Sequence, residues 1–216
     1  LNIPIFGCDP DLLELGSKSN SRKIFRECGL PVPPGFEDLH TTEDIVTALA
    51  ELKRQNPGMR KAVVKMNDGF SGEGNGIFSF GGIEQQVDWN QWIKNELNSR
   101  LRMVADDLDC ETFLFKFREM GGIVEAFVEG DIKESPSVQC RINPLGDCKV
   151  ISTHDQLVGG ESGQVFLGAS FPANEEYAIE IGEYGLKVAE VLSKNGVMGR
   201  FAVDFISVKE AKGWKH

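Results

Sequence analysis

A lysine-bearing β-run, Val63-Val64-Lys65, leads into a loop over 68–76 that holds Gly69, Gly72, Gly74 and Gly76, and strand character resumes at once over 76–80. That order narrows the fold. Glycines lack a Cβ, so backbone N–H groups in such a loop turn freely toward an anion, which suits phosphate. A P-loop ends in Gly-Lys-Ser/Thr and opens a helix, and a dinucleotide fingerprint opens one too; a strand follows here, which excludes both. A plain hairpin with glycines for turn geometry has the same pattern. Lys65 favours a ligand over that reading, because its ammonium, set among Val63, Val64 and Met66, needs a partner or an anion.

The remaining punctuation comes from Gly and Pro. A short strand is expected over 3–6, with a turn at Asp9-Pro10. A helix over 17–28 stops at Gly29, ahead of Pro31, Pro33 and Pro34. The next helix opens at Thr41, answered by Asp44 in a capping box, and closes near 56–58. Helices are expected over 89–105 and 110–120, strands over 123–129, 138–142 and 149–153. From 174 to 195, Tyr177, Ile181, Tyr184, Val188 and Val191 recur at three- and four-residue steps, the mark of a core-facing helix. A last strand covers 200–208. Without a regular βαβ rhythm, α+β subdomains are favoured over a Rossmann fold.

Bulk properties exclude several function classes. Acidic residues outnumber basic ones 33 to 23, so neither nucleic acid nor an anionic membrane would be drawn to the surface as a whole, and any phosphate must be gripped locally. The five cysteines show no CxxC spacing and no His at metal-ligand intervals, which argues against a zinc site or a disulfide framework and suits a reducing, cytoplasmic setting. No apolar run approaches the roughly 20 residues that span a bilayer.

Other candidates lie further along. Alternation over 122–130 sets Ile123, Glu125, Phe127 and Glu129 on one face, a mixture of apolar surface and acceptors that suits an adenine ring and equally a half-exposed strand. Asp204 stands among apolar strand formers, where a buried carboxylate would need compensation such as magnesium with its phosphates. Arg200 shares its face but lies about 13 Å away at ~3.3 Å per residue, so the two have separate tasks. Gln139 and Arg141 could meet acidic substrate or phosphate. His154-Asp155-Gln156 and the glycine-rich run over 158–168 look like a substrate-side loop.

Together these pieces resemble the ATP-grasp superfamily, over nearly the whole chain. Gly16-Ser-Lys18, its helix and the Gly29-Leu-Pro-Val-Pro-Pro-Gly35 segment look like the family's opening, in which an early lysine reaches the nucleotide phosphates. Lys65 and the loop are similar to the second lysine and its phosphate cover, which would include Gly69, Ser71, Gly72 and Gly74. Ile123-Val-Glu-Ala-Phe-Val-Glu-Gly130 looks like the inter-subdomain hinge, making Glu125 the acceptor for the adenine amine and Ala126, Phe127 and Val128 backbone contacts. Glu134 would be a ribose ligand and Asp204 the first metal carboxylate. The runs Gly-Ser-Lys-Ser-Asn-Ser-Arg-Lys-Ile-Phe, Ser135-Pro-Ser-Val-Gln-Cys-Arg141, Ser152-Thr-His-Asp-Gln156 and Gly199-Arg-Phe-Ala-Val-Asp-Phe205 are closest to the pheganomycin-type peptide ligases.

The resemblance implies an α+β ATP-grasp fold whose two subdomains grip a nucleotide. It implies a tail of a preceding domain over 1–15, one subdomain over 16–127 and a second over 128–216. It further implies ATP and Mg2+, and a reaction joining a peptide or amino-acid carboxylate to an amine through an acylphosphate held by Arg200 or Arg141. The family's Glu-x-Asn pair, on the strand after Asp204's, has no counterpart in these residues, so a fragment is expected. A non-catalytic nucleotide-binding module of a larger protein and an ATP-grasp small-molecule kinase remain alternatives.

Overall fold

The computed structural model describes residues 5–69, 74–81, 88–105, 107–159 and 165–216. Two antiparallel sheets organise them. The first has five strands in the order β1-β5-β2-β3-β4, formed by Gly35–Leu39, Gly122–Ala126, Lys61–Met66, Asn75–Ser79 and Leu101–Met103. Helices α2 (Thr42–Gln55), α3 (Trp89–Arg100) and α4 (Cys110–Met120) join one of its faces in a core where Ile45, Leu49, Val64, Phe78, Ile93, Phe113, Phe117 and Val124 are all buried. Helix α1 (Lys18–Glu27) touches β1 and β5, and Ser19 Oγ donates to the Gly122 carbonyl, fixing that helix to the sheet.

The expected hairpin is present: Val64 faces Gly76 and Lys65 faces Asn75 across β2 and β3. So is the capping box, with Thr41 accepting from the Asp44 N–H and the Asp44 carboxylate accepting from the Thr41 N–H. Glycine is required beside the hairpin at Gly122, where a Cβ would run into the Lys65 carbonyl and the Phe117 ring. Gly122→Ala is therefore expected to cost about 1–3 kcal/mol through overpacking, read as a lower denaturant midpoint; an unchanged midpoint would show that β2 can retreat.

In the second sheet β6 (Lys133–Ile142) is central, flanked by β7 (Cys148–Gly159) and β9 (Gly199–Asp204). β8 (Val165–Ser170) extends the β7 side, and β10 (Ser207–Glu210) with β11 (Gly213–Lys215) extends the other. Helix α5 (Ala178–Lys194) packs on one face through Ile181, Val188, Ala189 and Leu192 against Val138, Cys140, Ile142 and Val203. Gly185 allows the approach: a Cβ there would stand 2.6 Å from a Val138 methyl. The opposite face is open.

Several local expectations are overturned. The helix expected over 89–105 ends at Arg100, because Leu101 and Met103 pair with Phe78 and Gly76 and bury Leu101; strand pairing outweighs local helix preference there. The strand over 200–208 breaks between β9 and β10, both of which pair with β6. The glycine-rich run over 158–168 gives its ends to β7 and β8, and residues 160–164 lie outside the described ones. Ile5 and Phe6 are not in a strand, residues 1–4 lie outside the description, and a 3₁₀ helix, Pro10–Gly16, follows Asp9.

Candidate functional site

Lys65 has the partner that its setting demanded. On β2 it shares a face with Val63, and their cross-strand neighbours on β5 are Ile123 and Glu125. The Lys65 ammonium lies 2.5 Å from Glu125 Oε1, while Arg22 of α1 donates to Glu125 Oε2 at 2.7 Å. Arg22 and Glu125 are 4% and 6% exposed, so this is a buried ion network. Arg22 also donates to the Pro33 carbonyl at 2.9 Å and to Glu37 at 3.3 Å. Burial alone would push the Glu125 carboxyl up, but Lys65 and Arg22 outweigh it and hold the group below the ordinary glutamate range. The half-exposed strand expected over 123–129 is thus replaced by a strand buried through Glu125 and ending at Ala126. Each Glu125 oxygen thus accepts from one cation, Oε1 from Lys65 and Oε2 from Arg22, and an ionised carboxylate oxygen can accept a second bond. Arg22 was missed by sequence reasoning. It lies in a polar segment, Ser19-Asn20-Ser21-Arg22-Lys23, with nothing local to mark it as buried.

Lys18 occupies the first turn of α1, where a cation opposes the helix macrodipole. The amides of that turn are already satisfied: Lys18 N–H donates to the Asn67 carbonyl, Ser19 N–H to Asn67 Oδ1 and Asn20 N–H to Ser17 Oγ. What the turn offers an anion is the Lys18 side chain. Burial and the adjacent charge of Lys65 hold its ammonium below the ordinary lysine value, against the opposing pull of Asp204, Glu125 and Asp68. Lys18, Lys65 and Asp204, far apart in sequence, therefore share one electrostatic neighbourhood.

A bound polyphosphate would raise the depressed lysine again. Nucleotide binding by this chain is then expected to take up a fraction of a proton, and affinity is highest below the free-state value of Lys18 and falls as pH rises through it. Calorimetry in alkaline buffers of different ionisation enthalpy reads the uptake directly, and no uptake would exclude Lys18 from the phosphates.

Asn67 also fixes the root of the glycine loop. Gly69 and Gly74 face each other across the neck, where a Cβ on Gly69 would meet Gly74 Cα at 3.1 Å. Ser71 and Gly72, expected over the phosphates, lie outside the described residues.

The open face of the second sheet carries the rest of the site. A pocket of about 320 Å³ is lined there by Ser137, Gln139, His154, Gln156, Phe166, Ala169, Ala202 and Asp204. Register explains the grouping: Asp204, Ser137 and His154 are direct neighbours on β9, β6 and β7, and Ala202 lies beside Gln139 in the next row. Asp204 is exposed, not enclosed as its sequence neighbours suggested, because alternation sends Val203 into the core and leaves Arg200, Ala202 and Asp204 on the open face. Arg200 and Arg141 are paired with each other across β9 and β6, so the two candidate anion holders are brought together.

Glu134 lies outside that grouping. It shares its strand face with Pro136 and Val138, and its charge, after burial and Asp155, helps push the Tyr177 phenol up. That sets it on the α5 side of the sheet, apart from the residues that line the pocket. At the hinge, the N–H groups of Ala126 and Phe127 donate to Pro34 and Lys61 carbonyls. Among the described residues Val128 N–H is left without a protein partner, so of the three hinge contacts it is the free donor.

Among the described residues no group of three or more His, Cys, Asp or Glu stands together as a metal cage. Magnesium, however, is commonly bound through one or two carboxylates plus nucleotide phosphates and waters. One open carboxylate beside two lysines fits that mode, and Asp204 is the residue that would serve it.

Two antiparallel sheets, a glycine-flanked hairpin in the first of them and two lysines and a carboxylate within one another's electrostatic reach agree with the ATP-grasp proteins. The biotin carboxylase beta-gamma-ATP complex from Campylobacter jejuni matches with a TM-score of 0.65 at 18% identity, over 96% of this chain and 41% of that one. The biotin carboxylase domain of Hydrogenobacter thermophilus 2-oxoglutarate carboxylase, solved with MgADP, ADP and bicarbonate, gives 0.65 and 18% over 96% and 40%. These likenesses concern fold. The chain belongs to the IQCH-like ATP-grasp family, whose sequence model matches residues 12–108 and 108–215. An L-propargylglycine–L-glutamate ligase from Streptantibioticus cattleyicolor is 32% identical over 206 residues, 90% of this chain and 38% of its own length. An IQ motif-containing protein H from Danio rerio is 24% identical over 236 residues, 96% of this chain and 22% of its own. The chain therefore spans less than half the length of these curated relatives.

Proposed function

We propose that this chain is the nucleotide-binding body of an ATP-dependent carboxylate–amine ligase. In this reading a carboxylate oxygen attacks the γ-phosphorus of ATP, ADP leaves, and an amine then attacks the acyl carbon of the resulting acylphosphate and releases phosphate. Lys18 and Lys65 neutralise charge on the phosphates as it moves toward the leaving oxygen, a task for positioned cations in a partly dry site. Magnesium, when bound at Asp204, supplies further neutralisation of the same charge. The Val128 N–H receives the adenine edge, Glu125 and Arg22 keep Lys65 aimed at the phosphates, and Arg200 and Arg141 receive anionic groups of the substrate or of the acylphosphate.

The observation that carries this reading is the meeting of Lys18, Lys65 and Asp204 in one neighbourhood beside a pocket. The ligase among the relatives supports the carboxylate–amine outcome, and a peptide or amino-acid carboxylate is the substrate class it favours. Full-length protein containing this chain is expected to convert ATP to ADP and phosphate only when both L-glutamate and an amine-bearing or carboxyl-bearing partner such as L-propargylglycine are supplied. Oxygen-18 in the donor carboxylate should appear in the phosphate. Release of AMP, or a stable phosphorylated product without free phosphate, would overturn the ligase assignment in favour of another ATP chemistry.

The match to the IQCH-like family favours a second reading, a nucleotide-binding module that catalyses nothing. Full biological function of the whole protein with Lys65→Met would favour this reading over the ligase.

A further inference from the structure

Beyond the pocket, the open face of the second sheet continues into a row in which Arg200 and Arg141, already taken as anion holders, are joined by Lys149, which has no assigned role. Arg200 on β9 is paired directly with Arg141 on β6, and Arg141 is paired directly with Lys149 on β7. Three cations thus stand side by side across three strands, about 4.8 Å from strand to strand. All three are exposed. Like charges directly opposite one another in an antiparallel pair repel and destabilise it. Among the described residues none of the three makes an ion pair with a carboxylate; the contact Arg141 does make is with the Phe6 ring, 5.3 Å from its guanidinium. This occurs in a chain of formal net charge -10, where acidic partners are plentiful. A solvated face of such a protein would intersperse its charges, whereas this row concentrates one sign.

Its distance from Asp204 gives the row a meaning. Arg200 and Asp204 lie four residue steps apart on β9, about 13 Å at ~3.3 Å per residue, and small or uncharged polar residues, Ala202 and Gln139, floor the interval. A phosphoryl group being transferred beside Asp204 is within reach of one outstretched arginine at most. A substrate whose reacting carboxylate lies at Asp204 would instead bring a second anionic group to the row after the span of an amino-acid side chain or one peptide unit. We infer that Arg200, Arg141 and Lys149 form a subsite for an additional carboxylate, so that the substrate is a dicarboxylic amino acid or a short acidic peptide. The inference rests on the ligase reading above and adds Lys149 as a specificity residue.

The test uses full-length protein with a non-hydrolysable ATP analogue and magnesium. Titrations of L-glutamate and γ-L-glutamyl-L-glutamate are compared with L-glutamine, which has the same length and one carboxylate fewer. The acidic probes are expected to bind at least about tenfold more tightly, the scale of one charge-assisted contact. Lys149→Gln should remove most of that preference while leaving affinity for the ATP analogue unchanged, and Lys149→Arg should restore it. Raised salt should narrow the gap. Equal binding of all three probes, no binding of any, or a preference untouched by Lys149→Gln overturns the inference. So does a Lys149→Gln loss that falls on the nucleotide, which would assign the row to the phosphates. Wild-type protein that fails to bind the ATP analogue refutes the ligase reading itself, a result visible before any acidic probe is added.

Discussion

Glu125→Ala is expected to cost the fold about 3–5 kcal/mol, the scale seen when one partner of a buried ion pair is removed and the other is left behind. Arg22, 4% exposed, would keep its charge and lose the oxygen 2.7 Å away, with the Glu37 carboxylate and the Pro33 carbonyl left to compensate. Glu125→Gln should cost less, because the amide oxygen still accepts from one cation. Urea denaturation of the three proteins measures the order directly, and a loss below about 1 kcal/mol for the alanine variant would mean that Arg22 escapes to solvent. The same carboxyl sets an acid limit. Its folded-state value is depressed by Lys65 and Arg22 against the opposing effect of burial, so its contribution is complete above the ordinary glutamate range and disappears as pH falls through the lower folded value. Stability of Glu125→Gln should be flatter across that acid interval than that of the wild type.

Lys65→Met is expected to leave the fold nearly intact and to weaken MgATP binding about 30- to 150-fold, or roughly 2–3 kcal/mol for a charge-assisted contact to phosphate. The fold survives because Glu125 keeps Arg22 and because Met continues the apolar packing of β2. Isothermal calorimetry on the wild type and the variant decides the matter. An affinity within a factor of three would place the triphosphate elsewhere, and with it the role of the glycine loop. The contrast between these two substitutions is itself informative: one partner of the 2.5 Å pair acts on stability, the other on ligand.

Much of this was written locally. The glycine-rich hairpin, the Thr41 capping box and the bounds of α4 follow from short-range rules, and the structure reproduces each. Lys65 was recognisable because a lysine between Val64 and Met66 has few explanations. What was not legible depends on which strand meets which. Arg22 reads as one more polar residue until α1 is laid on β5, 103 positions away in sequence from its partner Glu125. Asp204 reads as enclosed until the alternation of β9 is referred to α5, which takes Val203 and leaves the carboxylate open. Glu134 follows the hinge closely in sequence, and the phase of β6 that sets it on the Tyr177 side could not be read locally. Leu101 and Met103 leave a helical pattern for an edge strand because β3 offers them partners. In every case the deciding neighbour lies far along the chain, where periodicity carries no information.

Asn67 ties these parts together mechanically. Its carbonyl and side-chain oxygen take the first two amides of α1, and its side-chain amide donates to Met120 at the end of α4. One short residue thus rivets the root of the glycine loop to the helix that carries Lys18. Because those bonds run from the end of β2 to the start of α1, the strand that bears Lys65 and the helix that bears Lys18 are clamped at a set spacing, and Asn67→Ala would let the two drift apart.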